Sequence, residues 1–260
     1  MKSGFFYLSM LFMISVTHAA EATIEAYRPA GVDYTVYERR VIANMNADDK
    51  SLRVTPLGSA RLYNEETLPK AIAWKSIADM QERFEIIRDE RFMTLSNEPD
   101  FPRRISWLYP KDGCFARASL FNRNAFRLFI PIPNKVFAFG NLRVKTPNSS
   151  RGVVGWWYHV APIVQVGVEK YVLDPAIEPE RPLLLKEWIE RMGNPKRIKV
   201  SICGSGSYSP GDNCHKETDG LESRAERTQK HYLALEEKEL IRMGRNPEVE
   251  LGDAPPWQQE

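Results

Sequence analysis

Cysteine is scarce in this 260-residue chain: there are three, at positions 114, 203 and 214, too few for a disulfide-framed scaffold. An excess of charge of one sign is missing too. Lys and Arg number 36 against 34 Asp and Glu, and a net charge of +2 gives no electrostatic footprint for nucleic acid or an anionic membrane surface. The apolar run from Phe5 to Val16 falls short of the roughly 20 residues that a spanning helix needs, so no stable membrane insertion is expected. No repeat, heptad run or low-complexity linker appears, which leaves one domain with an N-terminal extension as the simplest organisation. Gly204-Ser205-Gly206 lacks the Lys and helix start of a phosphate cradle, and Cys203, Cys214 and His215 match no zinc spacing and lack a fourth ligand. What remains is ordinary globular material, 43% hydrophobic and 27% charged.

The first residues set the compartment. Lys2, the apolar run and then Thr17-His18-Ala19-Ala20 read as a cleaved export signal over residues 1–20, ending near Ala19 or Ala20 and implying a secreted or periplasmic protein. Oxidising surroundings pair thiols, and Cys203 and Cys214 bracket a Gly- and Ser-rich loop whose closure would stabilise the fold by about 3 kcal/mol. Cys114 is then the unpaired thiol. An exported free thiol is open to oxidation, and its presence is easiest to understand if it has a use.

The elements place it. Apolar residues at 73, 77, 80, 84 and 87 advance by 4, 3, 4 and 3 and predict a helix between Thr67 and Met93. Cys114, Ala118, Phe121, Ala125 and Leu128 repeat that spacing, so a second helix starts at Cys114, straight after the Asp112-Gly113 turn, with the thiol on its inward face. Lys135–Val144, Gly155–Val166 and Val168–Asp174 read as strands of an antiparallel sheet beside it, Leu183–Met192 as a helix stopped by Gly193, and 198–203 as another strand. Residues 221–243 form a charged helix with a solvated face, and 251–260 a tail. Residues 21–70 are an N-terminal extension, either a pro-segment or a structural part, ahead of a catalytic region at 71–250.

A thiol at a helix N-terminus has the local field that favours thiolate. It needs a base and a group to orient that base. His159 and Asp174 are symmetric about the Val166–Gly167 bond, so a tight hairpin centred there makes them directly opposed partners about 4.5 to 5.5 Å apart at Cβ. Alternation puts Trp157 on the face of His159, and Trp156 with Tyr158 on the other. Trp157 and the Gly113 turn are therefore the residues expected to border a substrate.

At these positions the chain resembles the protein glutaminase (protein-glutamine deamidase) family of secreted bacterial enzymes. The matching pieces occur in the family's order over roughly residues 75 to 190: Tyr109-Pro110, Asp112-Gly113-Cys114-Phe115-Ala116-Arg117-Ala118, Phe139-Gly140-Asn141-Leu142, Tyr158-His159-Val160-Ala161, and Asp174-Pro175 with Trp188. The resemblance implies an α+β fold, a papain-like or transglutaminase-like core with the nucleophile helix on an antiparallel sheet. It also implies Cys114 as nucleophile, His159 as acid and base, Asp174 as orienting carboxylate, protein-bound glutamine as substrate, and no cofactor. A monomer is expected. Acyl transfer or peptide-bond cleavage would use the same acyl-enzyme, and a non-catalytic binding protein on this fold is the alternative of another class. Ser119 stands where the family pattern leads one to expect histidine, and the C-terminal helix matches nothing in the family.

Overall fold

The structure, a computed structural model, describes residues 56–214 and 221–259. The export signal and the strand-like runs at 32–37 and 51–54 lie outside the described residues. A short helix α1 (Pro56–Ser59) leads into strand β1 (Arg61–Leu62). Residues 56–70, grouped with the N-terminal extension by sequence, are built into the fold: β1 pairs with the strand at 199–203, Ala60 is buried, and Tyr63 and Leu68 pack on the core. The first predicted helix is shorter than its periodicity suggested. Helix α2 runs Ile77–Asp89 because Ser76 caps it, its hydroxyl accepting the Asp79 N–H at 3.1 Å. The chain before Ser76 is held as a bridge from Ala73 to Gln165, and Met93 belongs to a hairpin of β2 (Met93–Leu95) and β3 (Glu98–Arg103).

Helix α3 (Cys114–Arg127) starts at the predicted residue. Its stripe Cys114, Ala118, Phe121 and Ala125 is buried, and Leu128 is the C-cap. Strands β4 (Asn134–Lys145), β5 (Val153–Val166) and β6 (Glu169–Val172) follow, then β7 (Leu183–Leu184), α4 (Leu185–Met192) and β8 (Lys199–Cys203). All six strands of the main sheet pair antiparallel, in the order β1-β8-β4-β5-β6-β7. The fold is α+β, with the cysteine helix packed on an antiparallel sheet. Helix α5 (Leu221–Arg242) and a short helix α6 (Pro247–Glu250) complete it.

Alternation along β4 divides the core in two. Val136, Ala138, Leu142 and Val144 face α4, where Leu185, Trp188, Ile189 and Met192 are fully buried. Each of those side chains contributes roughly 1.5 to 3 kcal/mol by leaving water. Phe137 and Phe139 face the other way, toward Cys114 and Ala118 at the start of α3. The site lies where that helix start meets β5.

Candidate active site

The turn before Cys114 is shaped by glycine. Gly113 caps α3 with φ +82°, a left-handed conformation that other residues adopt at a cost. Asp112 Oδ1 accepts the Gly113 N–H at 2.6 Å. Arg117, one turn into α3, donates from Nη1 to the carbonyls of Tyr109 at 2.9 Å and Asp112 at 2.5 Å, which ties the loop down onto its own helix. Cys114 is thus the first helical residue, where main-chain amides have no intrahelical acceptor, and it is 4% exposed.

On β5, His159 Nε2 lies 2.7 Å from Asp174 Oδ2, and the same oxygen accepts the Trp188 indole N–H at 2.9 Å. The contact does not come from the expected register. The β5–β6 ladder pairs Val166 with Glu169 and Ile163 with Val172, so the hairpin is centred one bond later, at Gly167–Val168. That slides the partner of any residue by two positions, which preserves the face but makes His159 and Asp174 diagonal neighbours just beyond the end of β6. The reach of the imidazole closes the gap.

Burial disfavours a charged His159, but the Asp174 carboxylate and the Cys114 sulfur outweigh it and raise the ring's pKa to about 9. Burial likewise pushes Asp174 up, and the His159 charge with two hydrogen bonds reverses this, leaving its carboxyl below the usual range. His159 Nδ1, the nitrogen that Asp174 does not use, is buried without a hydrogen bond of ordinary geometry. Tyr158 is buried beside the same thiol, and burial followed by the interaction with the Cys114 sulfur holds its phenol well above the normal pKa. A thiol, an imidazole and a carboxylate are therefore brought together in one buried cluster, which is the arrangement for nucleophilic attack with proton transfer.

The aromatic residue beside His159 is Trp156, not Trp157. The rings of Trp156 and His159 stack at 4.4 Å with 13° between planes, and the Trp156 indole donates to the carbonyls of Pro110 and Lys111 at 3.1 Å each. Trp157 instead packs with Phe139 and Tyr158 at 2% exposure, so its ring lines no open groove. Alternation fails because the β4–β5 register shifts between Phe139 and Leu142, and the phase of β5 changes there. Val154 and Trp156 share a cluster with Ala161 and Ile163 across that point.

Cys203 and Cys214 form a disulfide, and Cys114 is the free thiol. His215 lies outside the described residues. Ser119 has a partner that the sequence reading missed: Lys135 Nζ donates to Ser119 Oγ and to the Ser207 carbonyl, both at 2.7 Å. Burial drives the Lys135 amine down to about 7.

A family model described as glutaminase, Gln_deamidase_2, matches residues 80–192, from within α2 to the end of α4. That span holds Cys114, His159, Asp174 and Trp188. Among solved structures, a crystal structure of a protein-glutaminase is 23% identical, with 62% of this chain and 88% of that one covered and a TM-score of 0.47. A crystal structure of a pro-protein-glutaminase is 23% identical over 62% of this chain and 60% of that one, with a TM-score of 0.46. The NMR structure of protein-glutaminase from Chryseobacterium proteolyticum is 23% identical over 59% and 84%, with a TM-score of 0.45. No curated protein matched the chain. Residues 80–192, which carry the buried cysteine, histidine and aspartate, are thus the part of the chain that is similar to the glutaminase family.

Proposed function

We propose that the chain hydrolyses the side-chain amide of protein-bound glutamine, releasing ammonia and leaving glutamate. The observation that carries this reading is the buried Cys114 thiol at a helix start beside the His159–Asp174 pair, inside the segment that matches the glutaminase family. Cys114 gives up its proton to His159, and Sγ attacks the carboxamide carbon. The oxyanion is received by main-chain amides at the start of α3, that of Cys114 first. His159 passes the proton to the departing nitrogen, ammonia leaves, and a thioester remains. Water then adds to the thioester carbon with His159 as base, and the thiol returns as the C–S bond breaks. Asp174, itself held by the Trp188 indole N–H, keeps Nε2 occupied, so that Nδ1 is the nitrogen left for proton transfer.

The paired Cys203 and Cys214 suit an exported enzyme, and no described helix is long and apolar enough to cross a membrane. A removable pro-segment is compatible with this fold only upstream of Pro56, since residues 56–70 supply β1 and part of the core. The test is to incubate the mature chain with a glutamine-containing protein and follow ammonia together with the mass change of NH2 to OH at glutamine. Ammonia from wild type and none from Cys114→Ala is expected. Equal release from both would overturn the reading, while peptide fragments or amine-dependent crosslinks would reassign the acyl-enzyme to a protease or a transferase.

A further inference from the structure

Helix α5 lies outside the segment that matches the family, and its sequence suggested a solvated charged helix. The fold turns one polar face of it inward. Gln229, Tyr232, Glu236 and Glu239, spaced 3, 4 and 3, form a single stripe, and all four are buried. Each member grips the loop that delivers Cys114. Gln229 Nε2 donates to Ser106 Oγ, and Glu236 accepts the Leu108 N–H at 2.9 Å and Arg103 Nη2 at 3.1 Å. Glu239 accepts Lys111 Nζ at 2.5 Å. Tyr232 makes the innermost contact: its ring stacks on Tyr109 at 5.9 Å and meets Phe115 edge-on at 6.4 Å, and its hydroxyl interacts with the Asp112 carboxyl. The ring also lies so close over Gly113 that a Cβ there would stand 2.6 Å from Tyr232 Cδ2.

Burying four polar side chains is a costly way to fasten a helix, because each must recover the solvation it loses. Leu, Ile or Met at those positions would pack the same helix without that demand. What an apolar stripe would not do is satisfy loop amides and carboxylates one by one and so select a single loop conformation. We propose that α5 is part of the catalytic apparatus, and that Tyr232 is the positioning residue which holds the Asp112-Gly113 turn so that Cys114 enters α3 facing His159.

The kinetic arm of the test rests on the deamidase reading; the chemical arm does not. In the full chain, Tyr232→Phe keeps the ring and removes the hydroxyl that interacts with Asp112. Its kcat for ammonia release should fall about tenfold with KM within about twofold, the signature of a displaced reacting group and not of weakened binding. Alkylation of Cys114 by iodoacetamide at pH 6, read by mass because the other two cysteines are joined, should slow by a similar factor while the melting temperature stays close to wild type. If Tyr232→Phe does not fold, Glu239→Gln at the outer end of the stripe takes the same readouts. A folded variant that alkylates and turns over like wild type overturns the proposal. So does faster alkylation, which would make Tyr232 a cover over the thiol. If wild type releases no ammonia, the deamidase reading falls and the alkylation arm alone decides the role of Tyr232.

Discussion

Replacing Asp174 by Asn tests the electrostatics of the site most directly. The substitution keeps the shape and an oxygen able to accept from both Trp188 and His159, and it removes the charge. Burial pulls the His159 ring toward neutrality, and the Asp174 carboxylate is the foremost of the influences holding it up at about 9. Without that charge the ring should titrate at or below its ordinary 6.5, a loss of about 3 kcal/mol in favour of the imidazolium. Titration of the His159 ring protons by NMR measures it. The activity consequence is a fall of about 100-fold or more in kcat, because the ring loses its enforced orientation along with its basicity. Stability carries the same signature. A raised pKa means that wild type holds the contribution of His159 in full below pH 6.5 and loses it as pH climbs through about 9, whereas Asp174→Asn should be flat in that window. A variant ring still titrating near 9 would show that Cys114, and not Asp174, sets the charge of His159, and the assigned role of the carboxylate would fail.

Gly113→Ala should lower stability by at least about 1 to 2 kcal/mol for the left-handed backbone alone, and further because Tyr232 must move; an unchanged thermal midpoint would contradict the close approach. Replacing Cys203 and Cys214 by Ser opens a loop of sequence separation 11 and should cost about 3 kcal/mol in chemical denaturation, with reductant bringing wild type to the same midpoint. For Lys135, a folded pKa of about 7 against 10.5 means the unfolded chain binds more protons in between, so wild-type stability gains from this residue as pH rises over that range. The stability of Lys135→Met relative to wild type should therefore fall from pH 7 to pH 10 in paired melting curves, and a constant difference would place the Lys135 ammonium in solvent contact.

Periodicity located α3 to the residue, since an inward stripe at 3.6 residues per turn is a property of the chain itself. The long strands β4 and β5 were expected within two residues of their ends. Periodicity overran at α2, where the apolar spacing reached back to Ala73, a residue that the Ser76 cap leaves outside the helix. Counting by twos located the face shared by His159 and Asp174, yet not the offset of their hairpin, because a shift of two residues leaves every side chain on its own face. The identity of the stacked tryptophan was lost for the opposite reason. One register shift between β4 and β5 changes the phase of alternation, and the strand glycines Gly140 and Gly155 hint at such a shift without fixing which tryptophan it turns toward His159. The stripe on α5 was visible as spacing, but Gln, Tyr and Glu at helical intervals read as a wetted surface until a loop more than a hundred residues earlier is found against them.

By itself, then, the sequence determined the chemistry available to this protein: one unpaired thiol at a helix start, a histidine and an aspartate in neighbouring strands, and a pair of cysteines to close a loop. These are matters of residue identity and local spacing, which short-range sterics and hydrogen bonding enforce. Tertiary structure alone decided how that chemistry is held. Trp156 couples the histidine to the cysteine loop, Trp188 shares the aspartate, and Tyr232 presses on Gly113, each across a long stretch of chain. Such contacts depend on where burial brings distant surfaces together, and that is a property of the whole packed core.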